Sequence, residues 1–222
     1  RLAVVIDDVG YNLESLKTFL ALPFPMAFAV LPHLAHSAEA GRLIAAAGKE
    51  LLLHMPMEPV NGENPGPGAI YTHLSDLQIE QALEQALAGL PAAAGMNNHM
   101  GSKATADRRV MDIVMRFAAS RGLYFLDSRT TAESLARPLA VHHGVAVLER
   151  DIFLEQPADP QRIRFALESG AQLALRRGRA VLIGHLQDAG LADELARLLP
   201  ELERRGVQLV APEVLVREEI QR

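Results

Sequence analysis

Asp7 and Asp8 stand side by side at the end of an aliphatic run that starts at Leu2. Adjacent carboxylates in a half-buried place repel each other unless a cation or hydrogen-bond donors compensate. His54 closes the run Leu51-Leu52-Leu53, and Glu58 follows between Pro56 and Pro59. Asn97-Asn98-His99, Asp127-Ser128-Arg129 and Glu149-Arg150-Asp151 close further runs, and His185 ends Val181-Leu182-Ile183-Gly184. Two imidazoles and a carboxylate make a suitable Zn²⁺ set, since three protein ligands leave a fourth position for water. Such an ion brings the pKa of its water toward ~7 and polarises a carbonyl. A second carboxylate can take the proton, and a histidine across the site can give one to a leaving group. Each piece alone has a plainer explanation. Asp7-Asp8 could cap a helix, His54 and His185 could be core residues, and Asn97-Asn98 could form a turn. Recurrence favours chemistry, because polar residues end one otherwise aliphatic run after another.

Those runs are the elements that must position the polar groups. Residues 2–6, 26–31, 50–53, 93–96, 123–126, 145–148, 180–183 and 207–210 read as strands buried on both faces, as in a parallel sheet. Residues 13–20, 35–47, 76–87, 108–120, 160–177 and 189–204 have the apolar spacing of amphipathic helices. Asp76 or Ser75 can cap the third of these, and Thr105 or Asp107 the fourth. Strands alternating with helices predict an α/β fold. About eight strands in this length predict a distorted (β/α) barrel, with an open doubly wound sheet as the alternative. In a barrel the C-terminal strand ends converge on one face, where the loops build the site. Residues 60–68 hold three Gly, two Pro and two Asn, and read as a lip over that site. His33, His36, His73, His142 and His143 read as surface residues.

Composition narrows the field. A chain of 222 residues fits a single domain over 1–222, and a formal charge of −5 argues against nucleic acid as a partner. There is no Cys, which excludes a disulfide framework and thiolate metal ligands. The longest uncharged apolar stretch, 19–31, is broken by Pro23 and Pro25 and is too short to span a membrane. A chain that starts at Arg1 reads as a processed piece.

In order and content the polar stretches resemble the divergent polysaccharide deacetylases, a branch of the NodB-type carbohydrate esterase superfamily. The stretches are Val-Ile-Asp-Asp-Val-Gly-Tyr-Asn at 5–12, Leu-His-Met-Pro-Met-Glu-Pro at 53–59, and Gly-Met-Asn-Asn-His-Met-Gly-Ser at 95–102. Phe-Leu-Asp-Ser-Arg-Thr-Thr at 125–131, Arg-Asp-Ile-Phe-Leu at 150–154 and Ile-Gly-His at 183–185 complete the set. The resemblance spans essentially the whole chain and implies a distorted (β/α) barrel. It implies that Asp7 is a base and Asp8 a metal ligand. The superfamily's second motif has two His four residues apart; here the pair is His54 and Glu58. The segment around His99 replaces the third motif and supplies an imidazole. His185 corresponds to the catalytic acid of a late Leu-x-His motif, and is followed by Leu186 where the branch usually has Pro.

The expected activity is therefore metal-dependent removal of N-acetyl groups from a cell-envelope polysaccharide. Asp8, His54 and His99 would hold a divalent ion, Zn²⁺ foremost. Asp7 would act as base and His185 as acid, with Asp127 orienting His185 or a ligand. Glu58, Asn97, Asn98 and Arg129 would contact substrate or support the loops, and Glu58 is also a candidate ligand. The resemblance places the protein in the periplasm or elsewhere outside the cytoplasm, with an acetylated glycan as partner. The altered motifs leave an alternative from another class, a non-catalytic glycan- or protein-binding module that keeps a metal for stability. Tyr11, Tyr71 and Tyr124 are its only tyrosines for sugar stacking, since the chain has no Trp.

Overall fold

The computed structural model describes residues 1–154, 160–188 and 190–220. Seven of the eight aliphatic runs become strands and the six amphipathic stretches become helices, in alternation over most of the chain. In order they are β1 (Leu2–Val9), α1 (Leu13–Leu20), β2 (Ala27–Val30), α2 (Ser37–Ala46), β3 (Glu50–Met57), α3 (Asp76–Ala88), β4 (Gly95–Met100), α4 (Arg108–Arg121) and β5 (Tyr124–Asp127). There follow α5 (Ala136–His143), β6 (Val147–Glu149), β7 (Ile152–Phe153), α6 (Pro160–Arg177), β8 (Ala180–His185), α7 (Leu191–Arg204) and α8 (Pro212–Ile220). Helix starts follow side-chain chemistry. Asn12 caps α1, Ser75 forms a capping box with Gln78 on α3, and Asp107 caps α4. Gly122 ends α4 in the left-handed conformation, at φ 66°.

Among the described residues eight strands pair in parallel, in the order β6-β5-β4-β3-β2-β1-β8-β7. The edge strands β6 and β7 are joined by only Arg150 and Asp151. Three Cα steps span at most about 11 Å, so the sheet must curl until its two edges meet. The linker shows the handover. Arg150 donates its backbone N–H to Asp127 O at 2.9 Å, and Asp151 donates to Val181 O at 2.8 Å, so consecutive residues bond to opposite sides of the seam. The result is a curled, incompletely laddered (β/α) barrel, and the doubly wound alternative falls away.

Alternation along the strands builds two apolar layers. Leu2, Val4, Ile6, Phe28, Leu53, Met96 and Phe125 face outward into the larger cluster beneath α1–α7. Ala3, Val5, Ala27, Ala29, Leu52, Leu126, Leu148, Val181 and Ile183 form a smaller cluster inside the curl. Val210, Leu215 and Val216 join that inner cluster, so α8 plugs the N-terminal mouth. A connection there is direct: Glu50, at the start of β3, accepts from the Glu213 N–H at 3.1 Å and from the Tyr124 hydroxyl at 2.7 Å. The plug leaves the C-terminal mouth as the open end.

Several elements differ from the sequence reading. The run 207–210 forms no strand, only a single bridge between Leu209 and Leu2. The reason is a shortage of free edge. β1 is paired with β8 from Leu2 onward, and β2 begins opposite Val5, so only the Leu2 end has an open side. Strand β4 runs Gly95–Met100 rather than 93–96, because pairing with β3 continues through Met57. Helices α5 and α8 and the two-residue β7 were not expected from periodicity. The first residue of the expected helix 189–204, Ala189, and the last two of the 1–222 domain lie outside the described residues.

Candidate active site

The inner face of each central strand begins aliphatic and ends polar. On β1 the inward series is Ala3, Val5, Asp7; on β3 it is Leu52, His54; on β8 it is Val181, Ile183, His185. Strand alternation thus delivers Asp7, His54, Asn97 and His185 to the top of the same interior. β3 and β4 place His54 opposite Asn97, and β1 and β8 place Asp7 opposite His185.

Asp8 should point away, since neighbours on a strand face opposite sides. A bulge changes that. Ile6 pairs with Phe28 and Val9 with Val30, so β1 spends one extra residue where β2 does not. Asp8 takes that place with φ 61°, in the left-handed region. Its carboxylate therefore reaches the same mouth as Asp7. His33 after β2, Met100 at the end of β4 and Arg129 after β5 also have positive φ, between 52° and 62°. Left-handed non-glycine residues cost roughly 1–3 kcal/mol each and gather where function over-determines the backbone. Here they ring one end of the barrel.

Asp8, His54 and His99 form a tight triangle. Asp8 Oδ1 lies 3.2 Å from His54 Nε2 and 2.9 Å from His99 Nδ1, and the two imidazole nitrogens are 3.2 Å apart. A four-coordinate ion with bonds of 2.0–2.2 Å needs donors roughly 3.3 Å apart, so the triangle fits a divalent ion of zinc's size. Burial raises the proton affinity of the Asp8 carboxyl, but hydrogen bonds and charge from His54 and His99 outweigh it and hold the group well below the usual carboxylate range. Gln187 Nε2 donates to the other Asp8 oxygen at 3.3 Å.

Behind the triangle sits a buried chain of hydrogen bonds. His54 Nδ1 is 2.8 Å from Asn97 Oδ1, and Asn97 Nδ2 donates to Asp7 Oδ1 and Oδ2 at 2.9 and 3.1 Å. Burial raises the pKa of Asp7, against the lowering effect of nearby His54 and His185. The His185 ring stacks on Phe153, with centroids 5.8 Å apart, and the Arg150 guanidinium covers Phe153 at 3.6 Å.

The other expected site residues surround this centre, and several of them hold its loops. Asn97 and Asn98 are almost fully buried, so neither offers an amide to substrate. Asn98 Oδ1 accepts from the Ser128 N–H at 3.0 Å, and its Nδ2 donates to Met100 O at 2.7 Å, pinning the loops after β4 and β5. Glu58 stands beyond the last residue of β3. Its Oε2 accepts from the Thr72 N–H and hydroxyl, both at 2.7 Å, and its Oε1 from Lys103 Nζ at 2.8 Å. Both oxygens are thus engaged in clasping the 59–71 loop to the loop after β4, rather than facing the triangle. Asp127 shares the helix-facing side of β5 with Phe125 and accepts from the Arg129 N–H at 2.8 Å, which ties it to its own loop. Arg129 pairs with Glu149 at 3.3 Å on the rim.

Ser128, Phe153, Gln187 and Lys103 are neighbours of the site that residue types alone did not single out. The first was recoverable by extending the inward series of β5 past Leu126. Of the five histidines read as surface residues, His33, His73 and His142 are exposed, while His36 and His143 are half-buried. His143 pairs with Asp112 at 2.8 Å on the outer helices. With His142 these two make a second group of side chains that could hold an ion, their donor atoms all within 4.8 Å of one another. None of them belongs to a strand end.

Known proteins resemble this chain in sequence and in fold. The family model described as divergent polysaccharide deacetylase matches residues 4–216. An uncharacterized protein of Haemophilus influenzae is 34% identical over 95% of this chain and 74% of its own length. The uncharacterized protein YibQ of Escherichia coli K12 is 36% identical over 83% of this chain, which spans 58% of that relative. Among solved structures, the uncharacterized protein ATU2773 from Agrobacterium tumefaciens C58 superposes with a TM-score of 0.92 at 23% identity, covering 97% of this chain and 88% of that one.

Proposed function

The chain belongs to the divergent polysaccharide deacetylase family, and from that premise we propose that it is a metal-dependent hydrolase removing N-acetyl groups from a cell-envelope glycan. One arrangement carries the proposal: Asp8, His54 and His99 converge on a point that fits a divalent ion, with a buried carboxylate, Asp7, beside them. A Zn²⁺-like ion held there would lower the proton affinity of a water and polarise the acetamide carbonyl. The chain's own groups supply the remaining steps. Asp7 takes the proton of the attacking water, and burial makes it a stronger base than an exposed carboxylate. His185, on the neighbouring strand β8, gives a proton to the amine nitrogen as the C–N bond breaks. Phe153 fixes the face of that imidazole. The products are acetate and a free amine on the sugar. The clasp made by Glu58, Thr72 and Lys103 keeps the 59–71 loop at the mouth.

The direct test is acetate release from N-acetylated glucosamine polymers by protein dialysed and reloaded with about one equivalent of Zn²⁺. Acetate is expected in step with new primary amines, and none is expected from Asp8→Ala. Glycan binding without acetate, under every metal tried, would overturn the hydrolase and favour a binding module. The envelope location belongs to the same proposal and is supported by the family alone. Fractionation of cells expressing the full-length protein tests it. Among the described residues no helix is long and apolar enough to cross a membrane.

A further inference from the structure

Asn97 sits between the expected base and an expected metal ligand, and everything its amide can offer is used there. Its Oδ1 lies 2.8 Å from His54 Nδ1. Its Nδ2 donates to both Asp7 oxygens at 2.9 and 3.1 Å, with Ser128 Oγ further off at 3.4 Å. Its side chain has no exposure to solvent, so it acts on neither water nor sugar directly. An ionised carboxylate only accepts hydrogen bonds, which sets the amide NH₂ toward Asp7 and leaves its oxygen for His54. The His54 ring must then carry its proton on Nδ1. Nε2, which lies 3.2 Å from both Asp8 Oδ1 and His99 Nδ1, is then the ring nitrogen that an ion would take in place of a proton shared with Asp8.

Few side chains could stand in this place. The position needs an acceptor on one side and a donor on the other, at the reach of a β4 residue opposite His54. Leu would leave both neighbours unpaired, and an unpaired buried polar group is costly. We propose that Asn97 is a positioning residue that fixes the His54 tautomer required for metal binding and, through the same amide, holds Asp7 in place as base. This rests on the reading of Asp8, His54 and His99 as the ligands. Ligating histidines elsewhere use a carboxylate or carbonyl for the first task; here one amide serves two partners with different roles.

The experiment compares the parent, Asn97→Leu and Asn97→Asp. Two readouts are taken: ¹⁵N chemical shifts of the His54 ring in metal-free protein, and Zn²⁺ affinity by chelator competition. In the parent, His54 Nδ1 is expected to keep its proton, whether or not Nε2 shares one with Asp8. In Asn97→Leu the ring signals move toward a mixed tautomer, Zn²⁺ binding weakens about 10- to 100-fold, and kcat for acetate release falls with KM little changed. Asn97→Asp restores an acceptor, so its ring signals and Zn²⁺ affinity return toward the parent, and its cooperative melting serves as the folding control. Ring signals and affinity unchanged in Asn97→Leu would overturn the proposal. So would an Asn97→Asp protein that folds but matches Asn97→Leu in both readouts, since Asn97 would then act through packing. If the parent binds no metal, the ligand reading fails, yet the ring signals of the three proteins still decide whether Asn97 sets the tautomer.

Discussion

Asp7 and Asp8 are consecutive residues whose carboxyl groups are driven in opposite directions. Burial dominates at Asp7 and raises its pKa; at Asp8 the two imidazoles outweigh burial and lower it. One extra residue in β1 lets both reach the same mouth while meeting different neighbours. Two carboxylates with separated proton affinities are suited to separate tasks, proton transfer for the first and cation binding for the second.

Asp7→Asn should therefore lower kcat by about 10²–10⁴-fold, the usual range for a lost general base, while metal content stays near that of the parent. The measurement is acetate release beside elemental analysis of the same preparation. Full activity in this variant would remove Asp7 from the mechanism.

His99→Ala should lose the ion. Elemental analysis after extensive dialysis is expected to give about one divalent ion per chain in the parent and close to none in the variant, since two remaining ligands make a poor site. Chelation should also lower the parent's melting temperature, because an ion that binds only the folded chain stabilises it. That chelator effect should be absent in His99→Ala.

Glu58→Gln probes the loop clasp. Burial raises the Glu58 pKa, but Lys103 and the two Thr72 donors prevail and pull it down to about 2 from an ordinary 4.5. A depressed carboxyl contributes stability that is fully present above its unfolded pKa and is lost as pH falls through its folded one. The variant should thus be less stable than the parent near neutrality by about 1–2 kcal/mol, on the scale of hydrogen bonds to a charged group. The gap should close between about pH 4.5 and 2. A gap constant over that window, read from denaturant melts, would show that Glu58 acts by shape and not by charge.

Gly95→Ala tests the closed end. A Cβ at Gly95 would stand 2.6 Å from Cε1 of the Tyr124 ring. That ring is held by its hydroxyl bond to Glu50 and cannot swing aside freely. Overpacking of this kind costs about 1–3 kcal/mol, measurable by urea denaturation. Acetate release at a temperature where the variant remains folded should be unaffected, since Gly95 begins β4 far along the strand from His99.

Much of this was legible in the residues because alternation and polarity coincide. The runs ending in Asp7, His54 and His185 named both the strands and the inward faces. Asn97 was legible as a site residue, but its role was not. Its distances to Asp7 and His54 depend on which strands adjoin, and register is a tertiary property. Glu58 shows another limit. Its spacing from His54 suggested a shared direction, but β3 ends at Met57 and the chain turns the carboxylate toward Thr72. The run 207–210 has strand composition yet no free edge to join, and β7 is too short to leave a periodic signal.

The seam between β6 and β7 has a consequence for solubility. A sheet that does not close its ladder exposes two rows of unpaired amides and carbonyls, and such rows recruit strands from other chains. Among the described residues the edges are three and two residues long. The chain itself carries each edge around to face the other, with Arg150 packed over Phe153 at the junction. A visiting strand would find too few hydrogen bonds on either side to register against, and a charged side chain in its path. Edges this short offer little template for a strand of another chain.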